Sequence, residues 1–308
     1  MKEPIVSVVI ATYNHQDLLA QSIDSVLSQK TDYPYEIIIH DDASKDTTVD
    51  VIRNYAQKYP DVIIPILQVE NQCSKGLKIM PTFLFPAARG KYIAICEGDD
   101  YWTDLNKLQK QIDFLEANSD YAASAHQSLI VTERSQRLFK ENVPADIHLS
   151  DLLETRIFHT ASFIFRTELI RKYPPTPVNM HSYDRLLFML IASNGPIRYF
   201  DDVMCVYRKH ESGLSARGKY KTIAKDFNVV PYLIENIPNF PKNKYLAFLH
   251  RICFIYPRDK MPLRLVLKHY FSFIYYSFSY FPNNLWPIIK NTGRMFYRLI
   301  LGSEKEKI

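Results

Sequence analysis

The sequence predicts an α/β fold with a mostly parallel central sheet and a helical C-terminal extension. Strand patterns and amphipathic helix patterns alternate four times between Ile5 and Cys96 with short connections, which is typical of a doubly wound parallel sheet. Carboxylates follow two of the predicted strands, at Asp42 and Asp99. Open parallel sheets bind ligands at the carboxyl ends of their strands. We therefore expect a ligand site at this edge.

In the first half, apolar and β-branched runs predict four strands: Ile5–Ile10, Glu36–His40, Val62–Val69 and Tyr92–Cys96. Asn14 is predicted to cap the helix after the first strand. A helix is expected within 78–88, although Pro81 and Pro86 interrupt its pattern. The second half predicts, in order, the helix Thr103–Ala117, the strand Ala161–Arg166, the helix Ser182–Ala192 and the strand Ile197–Tyr207.

The most informative stretch runs from Lys91 to Trp102. Its buried strand ends at Gly98, which stands among the carboxylates of Glu97, Asp99 and Asp100. Carboxylates this close together are too crowded to stay ionised without a cation. Hard oxygen ligands beside a glycine suit Mg²⁺ or Mn²⁺, which bridge to substrate phosphates. The alternative is a polar turn whose aspartates cap the next helix.

Composition narrows the class of protein. The 308 residues are 47% hydrophobic and 23% charged, which is ordinary for a globular chain. The four cysteines are widely scattered, so neither a zinc site nor a disulfide framework is predicted. The sequence shows no signal-peptide pattern and no uncharged apolar run of about 18 residues. A cytoplasmic protein that is not integral to a membrane is expected.

The C-terminal extension differs from the rest of the chain. From Lys242 onward there are 12 Lys and Arg against 3 Asp and Glu, so this segment carries +9 and the remainder −4. Eight of the twelve residues from Tyr270 to Phe281 are aromatic. Basic and aromatic side chains together favour the surface of an anionic membrane. The alternative is a helical appendage packed on the body, and an alternation of period two leaves strand and helix open for the aromatic run.

Four motifs, taken in order, resemble those of the family 2 glycosyltransferases. They are Val6–Asn14, Glu36–Thr48, Gly90–Asp100 and Arg208–Ser215. The resemblance covers about two thirds of the chain and implies the Rossmann-like, nucleotide-sugar-binding fold called GT-A. It implies a catalytic domain over residues 1–220, with a nucleotide-sugar half at 1–104 and an acceptor half at 105–220. Residues 221–308 form the predicted helical extension, and its basic and aromatic composition predicts contact with the membrane surface.

The resemblance also implies how the donor is held. Thr12 and Tyr13 would lie beside the nucleotide, and the Tyr13 ring would stack on its base. Asp42 would accept a hydrogen bond from a uracil-like imide N–H, although it could instead cap the next helix. Lys78 would reach a phosphate, although an ordinary surface charge is the alternative.

The metal ligands implied by the resemblance are Asp100, Asp99 and His210, with Asp99 also close to the ribose. His210 could equally be an exposed loop histidine. Glu97 departs from the family, which often has aspartate there, so direct metal contact by Glu97 is not predicted. The implied cofactor is Mg²⁺ or Mn²⁺, which would neutralise the departing diphosphate.

The catalytic base implied by the resemblance is Asp184, because Ser182–Asp184 is similar to the family's acidic motif. An inverting transfer needs such a base to take the proton of the attacking hydroxyl. The alternative is a plain charge at a helix N-terminus. The family often has Glu-Asp here, and Tyr183 departs from that pattern.

Together with the acidic turn, the resemblance implies a metal-dependent inverting glycosyltransferase. The donor is expected to be a UDP-linked sugar, and the acceptor a saccharide or lipid-linked saccharide in capsule, exopolysaccharide or lipopolysaccharide synthesis. A cytoplasmic protein held at the inner face of the membrane is expected, without a nucleic-acid partner. The rival readings are a receiver-like signalling module, which would be complete in about 120 residues, and a nucleotidyltransferase. The latter lacks the glycine-rich, basic first loop that would bind a triphosphate.

Overall fold

The structure, a computed structural model, describes residues 3–177, 179–210, 220–255, 261–279 and 293. Within these residues ten strands form one mixed sheet. The strands are β1 (Val6–Thr12), β2 (Tyr35–Asp41), β3 (Ile63–Leu67), β4 (Tyr92–Glu97), β5 (Tyr101–Trp102), β6 (Ala123–Val131), β7 (Gln136–Leu138), β8 (Asp146–Ile147), β9 (Ile164–Arg166) and β10 (Ile197–Arg208). The α-helices are α1 (Leu19–Leu27), α2 (Thr48–Lys58), α3 (Phe85–Ala87), α4 (Lys107–Ala117), α5 (Leu149–Leu152), α6 (Thr167–Arg171), α7 (Tyr183–Ala192), α8 (Tyr220–Ile223), α9 (Val230–Asn236), α10 (Lys242–Ile255) and α11 (Leu263–Phe278).

The sheet has the order β3-β2-β1-β4-β9-β6-β10-β5, with β7 beside β6 and β8 beside β10. Strands β1 to β4 pair in parallel, as do β6 and β10. Strand β9 runs antiparallel between β4 and β6 and joins the two parallel parts. The central strands β1, β2 and β4 are buried along nearly their whole length, as expected where both faces of a sheet are covered. The predicted α/β class with a mostly parallel central sheet is confirmed.

Prolines occupy β3 and the segment 78–88, and each lies where a proline is tolerated. Pro65 lies in β3, which is the edge strand beyond β2, where a residue without an N–H is tolerated. Pro81 and Pro86 each occupy the first turn of a short helical segment, the π-helical turn Met80–Leu84 and then α3. The predicted single helix is therefore divided, because a proline breaks a helix interior but suits its first turn.

The prediction that Asn14 caps the first helix is wrong. Asn14 has a left-handed φ of 55°, and α1 begins only at Leu19. The Asn14 side-chain oxygen accepts the backbone N–H of Lys45 at 2.8 Å, and its own backbone N–H donates to the Ser44 hydroxyl at 2.8 Å. Asn14 thus ties the loop after β1 to the loop after β2, at the edge where the strands end.

The C-terminal region is helical where it is described, as predicted. The aromatic run adopts α11, so the helical alternative holds as far as Phe278, and the residues from 280 onward, apart from Gly293, lie outside the described residues. Residues 211–219, which contain most of the late histidine motif, also lie outside them. Among the helices that the structure describes, none is both long and apolar enough to cross a bilayer.

Two compact units divide the chain. The first comprises Met1–Val178 and Tyr183–Gly213, and it contains the whole sheet. The second comprises Asn179–Ser182 and Leu214–Ile308, and it contains α8 to α11. The division of the first unit into donor and acceptor halves stays a prediction.

Candidate active site

The carboxyl ends of β1, β2 and β4 meet at one edge of the sheet. Thr12 at the end of β1 pairs with Asp41 at the end of β2, and Ala11 pairs with Glu97 at the end of β4. The residues that follow these strands are therefore neighbours in space although they are far apart in sequence. The sequence-predicted site lies at this edge, where a parallel sheet presents its loops to a ligand.

The turn after β4 is held tightly against the body of the sheet. A side chain at Gly98 would come within 2.8 Å of the Thr12 side chain, so only glycine fits this close approach. The buried Ser22 hydroxyl of α1 lies at hydrogen-bond distance from the carbonyl oxygens of Gly98, at 3.0 Å, and Asp100. Ser25, one turn later, accepts the Trp102 backbone N–H at 3.0 Å. Helix α1 thus fixes the backbone that carries the acidic residues.

Asp100 is buried, with 1% of its surface exposed. Its Oδ1 accepts the backbone N–H of Arg208 at 2.9 Å, whereas its buried Oδ2 has no hydrogen-bond partner among the described residues. The Nε2 of His159 lies 3.5 Å from this Oδ2 and 3.5 Å from the Glu97 Oε2. Burial raises the pKa of Asp100 well above its usual range, and the neighbouring Glu97 and Asp99 carboxylates raise it further.

Glu97 experiences the same crowding. Burial and the Asp99 carboxylate raise the pKa of Glu97 above its usual range. The carboxyl oxygens of Glu97 and Asp100 and a ring nitrogen of His159 all lie within 4.8 Å of one another. A cation in this place would relieve the repulsion between the carboxylates.

His159 is oriented by its surroundings. Its Nδ1 accepts the backbone N–H of Ala161 at 3.3 Å, so the proton of the neutral ring lies on Nε2, which faces the two carboxylates. Burial lowers the pKa of His159 well below its usual value, and the ring stacks on Tyr207 with a centroid distance of 4.1 Å. In this tautomer His159 is a donor, so the carboxylate oxygens are the better cation ligands of this group.

Asp99 and His210 form a second acidic–histidine contact. The Asp99 Oδ2 and the His210 Nε2 are 3.1 Å apart, and both side chains are partly exposed. The guanidinium of Arg208 donates to the Asp99 carbonyl oxygen at 3.1 Å and lies over the Tyr101 ring at 4.5 Å. A partly exposed carboxylate facing a histidine nitrogen is a donor set that Mg²⁺ or Mn²⁺ can use, and its exposure leaves room for substrate oxygens.

Asp184, the predicted base, lies in the first turn of α7. Its Oδ2 is 3.2 Å from the Arg156 Nη2, which also donates to the Thr160 hydroxyl at 2.6 Å. Arg156 and Asp184 are near enough to Glu97 to shift its pKa, downward and upward respectively. The structure therefore brings Asp184 and Arg156 close enough to the acidic turn for their charges to act on Glu97.

The predicted donor residues lie around the ends of β1 and β2. Tyr13 is 38% exposed directly after β1, and the buried Thr12 hydroxyl has no hydrogen-bond partner in the part of the chain that is described. Both oxygens of the Asp42 carboxylate accept backbone N–H groups, from Gln72 at 2.7 Å and Cys73 at 3.1 Å. Asp42 therefore holds the loop after β3 in place. Its predicted contact with a base remains a prediction.

Lys78 follows that loop and is partly buried. Its charge is close enough to lower the pKa of the Cys73 thiol, although burial raises that pKa overall. Lys78 thus lies on the side of the site occupied by Asp42. Its predicted contact with a phosphate is likewise untested.

His15 connects the two groups of predicted residues. Its ring meets the His210 ring edge to face at a centroid distance of 6.3 Å, and its backbone N–H donates to the Thr48 hydroxyl at 2.9 Å. Burial lowers the pKa of His15, while the charges of Asp99 and Asp41 oppose this shift.

Sequence reasoning assigned no role to five residues that shape this site: Ser22, His15, Arg156, His159 and Arg208. The polar pair His159-Thr160 before a strand and the arginine that opens the late histidine motif were the available signals. Ser22 gave none, since its position in α1 is that of an ordinary helix serine.

Comparison with known proteins identifies the family. The sequence profile described as Glycosyl transferase family 2 matches residues 7–182, which is more than half of the chain. An uncharacterized protein of Mycobacterium tuberculosis is 34% identical over 212 residues, covering 68% of this chain and 60% of that protein. This chain thus spans about 60% of the length of that relative. The UDP-Glc:alpha-D-GlcNAc-diphosphoundecaprenol beta-1,3-glucosyltransferase WfaP of Escherichia coli is 27% identical over 271 residues, covering 87% of this chain and 97% of that protein.

Solved structures show the same fold. The Staphylococcus aureus protein TarS in complex with UDP-GlcNAc matches with a TM-score of 0.63 at 19% identity, covering 88% of this chain and 81% of that one. The mannosyltransferase PcManGT from Pyrobaculum calidifontis, in complex with GDP-Man and Mn²⁺, matches with a TM-score of 0.61 at 20% identity, covering 97% and 86%. The predicted GT-A fold is confirmed. The chain belongs to glycosyl transferase family 2.

Proposed function

We propose that this protein is a metal-dependent inverting glycosyltransferase that moves a sugar from a UDP-linked donor to an acceptor hydroxyl. The observation that carries the proposal is the acidic turn after β4. It holds a buried Asp100 whose Oδ2 has no hydrogen-bond partner among the described residues, next to the Asp99–His210 contact of 3.1 Å. Buried carboxylates of this kind are costly to a fold, and they are kept where charge must be neutralised during a reaction.

The donor nucleotide would bind at the ends of β1 and β2. The exposed Tyr13 ring offers a flat apolar surface for the base, and Lys78 offers a cation for the diphosphate. The Asp42 carboxylate already accepts two backbone N–H groups. A carboxylate has about four acceptor positions, so it can still accept an imide N–H.

The cation would be held by Asp100, Asp99 and His210. A divalent cation bound there supplies charge neutralisation for the diphosphate leaving group. Arg208 supports the ligands in two ways, because its backbone N–H holds Asp100 and its side chain holds the Asp99 carbonyl oxygen. The mannosyltransferase PcManGT was solved with Mn²⁺, which supports a metal of this type.

Asp184 would act as the base. The acceptor hydroxyl attacks the anomeric carbon from the face opposite the diphosphate, so a new C–O bond forms as the sugar–phosphate bond breaks and the configuration inverts. The hydroxyl proton passes to the Asp184 carboxylate, and the bonding electron pair leaves with the diphosphate. The Arg156 Nη2 lies 3.2 Å from the Asp184 Oδ2 and orients this carboxylate. The Asp184 Oδ1 accepts the Arg185 backbone N–H at 2.9 Å.

For the acceptor we propose a saccharide or lipid-linked saccharide used in cell-surface polysaccharide synthesis. The similarity to WfaP, which transfers glucose from UDP-Glc to a lipid diphosphate saccharide, supports this class. The complex of TarS with UDP-GlcNAc supports a uridine donor, whereas that of PcManGT with GDP-Man makes guanosine the competing choice. We place the enzyme in the cytoplasm, at the inner face of the membrane.

The test is a thermal unfolding screen with nucleotide sugars, with and without Mn²⁺, on the wild type, Asp99→Asn and Asp61→Asn. Asp61 is an exposed aspartate between α2 and β3, and its substitution makes the same change in charge away from the site. A ligand at about 100 times its dissociation constant adds roughly 2.7 kcal/mol of apparent stability. We expect one donor to raise the melting temperature in the presence of Mn²⁺, in the wild type and in Asp61→Asn but not in Asp99→Asn.

Transfer to a lipid diphosphate saccharide is then measured with the donor so identified, and the anomeric configuration of the product is read by NMR. A product with the configuration opposite to that of the donor is expected. Retention would refute the inverting mechanism. A folded wild type stabilised by no nucleotide sugar would refute the transferase itself.

A further inference from the structure

Helix α11 has two sharply different faces. Its buried face carries His269, Tyr270, Phe273 and Ser277, and Tyr270 and Phe273 pack in a cluster with Ala247 of α10. The opposite face is exposed to solvent along the whole helix. In an ordinary amphipathic surface helix, the face that is exposed to solvent carries polar residues.

The outer face of α11 is not polar throughout. It carries Arg264, Lys268, Phe271, Tyr275 and Phe278, spaced four, three, four and three residues apart, which puts them on one stripe of the helix. The three aromatic side chains are 62%, 72% and 61% exposed. We call these five residues the α11 stripe.

The α11 stripe concentrates a feature that is scattered elsewhere. Outside α11, the large hydrophobic side chains that are exposed in the described part of the chain are spread over separate elements and loops, such as Val69 and Leu138. Single exposed apolar side chains need no explanation, whereas a contiguous set indicates a surface that another body covers.

The positive charge of the segment around the α11 stripe indicates what kind of surface covers the stripe. The described residues of 242–255 and 261–279 contain no aspartate or glutamate, and the whole segment from Lys242 carries +9. A groove beside the stripe is lined by Tyr275 and Phe278 of α11 and by Lys242 and Leu246 of α10, so a further cation borders the same surface. Aromatic rings flanked by cations suit the headgroup region of an anionic bilayer, where the rings enter the interface and the cations meet phosphates.

We propose that the α11 stripe is the surface by which this protein docks on an anionic lipid bilayer. This inference deepens the proposed location at the membrane and rests on it. The covering body is a bilayer rather than a second copy of the chain, because two copies would bring together surfaces that are both strongly positive. The orientation follows from the stripe: Phe271, Tyr275 and Phe278 enter the interface, and Arg264 and Lys268 lie at phosphate level.

The test is co-sedimentation of the full chain with phosphatidylcholine vesicles, with and without phosphatidylglycerol. The aromatic variant is Phe271→Gln, Tyr275→Gln and Phe278→Gln, which keeps a good helix former at each position. The basic variant is Arg264→Gln and Lys268→Gln. The control variant is Arg53→Gln and Lys58→Gln, which removes the same charge from the exposed surface of α2.

We expect the wild type to sediment with anionic vesicles, less so at high salt, and not with neutral ones. At about 1 kcal/mol for each cation near an anionic surface, the basic variant should partition about 30-fold less strongly. The aromatic variant should lose at least about tenfold, because its rings no longer enter the interface. The control should bind as the wild type does.

Two outcomes would overturn the proposal. One is equal vesicle binding by all variants. The other is a wild type that does not sediment with vesicles but forms a dimer, while the aromatic variant is monomeric. The α11 stripe would then be an interface between two copies of the chain. Nucleotide-sugar stabilisation, measured on the same variants, keeps the two claims apart. Loss of vesicle binding with the donor-induced shift intact tests the docking surface alone, whereas failure of the shift in the wild type tests the transferase.

Discussion

The two edges of the parallel sheet differ in how completely their buried carboxylates are hydrogen-bonded. At the edge where the strands begin, Glu36 is 2% exposed and fully engaged: its carboxylate accepts the Ser7 hydroxyl at 2.6 Å, the Arg89 backbone N–H at 2.9 Å and the Arg89 Nε–H at 2.8 Å. At the edge where the strands end, Asp100 is equally buried, yet its Oδ2 has no hydrogen-bond partner among the described residues.

This difference in hydrogen bonding distinguishes a carboxylate that contributes to stability from one that we propose contributes to function. A buried carboxylate that is fully hydrogen-bonded stabilises the fold that encloses it, whereas one with a missing partner costs stability. In the proposed function, a bound cation and an anionic substrate would complete the charge arrangement at the strand-end edge.

The largest expected effect is that of Asp100→Asn on sugar transfer. This variant keeps the size and the acceptor for the Arg208 N–H but removes the charge, so activity should fall at least about 100-fold. The metal-free protein should not be destabilised at pH 8, because the raised pKa of Asp100 means that its ionised form is disfavoured in the folded state. Activity and thermal unfolding are measured on the same preparation, and a variant that loses stability but keeps activity would reverse the comparison.

Glu36→Gln should behave in the opposite manner. It removes the charge that Arg89 and the Ser7 hydroxyl engage, so the free energy of unfolding should fall by about 2 to 3 kcal/mol in urea titrations. Transfer per folded molecule should stay unchanged. The matched control is Glu116→Gln, whose ion pair with Lys91 is exposed and should contribute about 0 to 1 kcal/mol. Equal losses of unfolding free energy in the two variants would show that the buried Glu36 network stabilises the fold no more than an exposed ion pair does.

Lys107 is a second buried charged group whose terminal atom has no hydrogen-bond partner among the described residues. Its ammonium is fully buried 4.0 Å from the Trp102 ring centroid, and burial lowers its pKa to about 7. Between pH 7 and the ordinary lysine value of about 10.4 the unfolded chain binds a proton that the folded chain does not, so stability should rise with pH, by at most about 1.4 kcal/mol per pH unit.

Lys107→Met should abolish that rise, which is measured by urea titrations at several pH values. Lys30→Met, at an exposed lysine, is the control and should leave the pH dependence as it is. An identical slope in the wild type and Lys107→Met would mean that Lys107 stays protonated when buried.

The smallest expected effect is that of Ser22→Ala. Its hydroxyl anchors the carbonyl groups of Gly98 and Asp100, so its loss should lower stability by about 1 kcal/mol and loosen the acidic turn. A looser turn should raise the Mn²⁺ concentration needed for half-maximal activity several-fold, because the ligands are no longer pre-positioned. Ser28→Ala, at the exposed end of the same helix, should change neither. A loss of stability without a change in Mn²⁺ requirement would make Ser22 purely structural.

The fold and the location of the site were predictable because they rest on local patterns. The runs Ile5–Ile10 and Tyr92–Cys96 are mostly apolar, and each is followed by polar residues. The same local pattern therefore predicted both the strands and the edge of the sheet that carries the candidate site. The roles of Asn14 and Asp42 depend on loops about thirty residues away, and no local pattern reports such partners. Arg156 and His159 lie in a region without periodicity and reach the acidic turn only through the tertiary fold.

The most direct test of the central claim is calorimetric titration of Mn²⁺ into the protein with UDP present, for the wild type, Asp99→Asn and Glu36→Gln. We predict one Mn²⁺ bound by the wild type and by Glu36→Gln, and binding at least about tenfold weaker in Asp99→Asn. Unchanged Mn²⁺ binding in Asp99→Asn, or its loss in Glu36→Gln at a temperature where that variant is folded, would contradict the assignment of the cation to the strand-end edge.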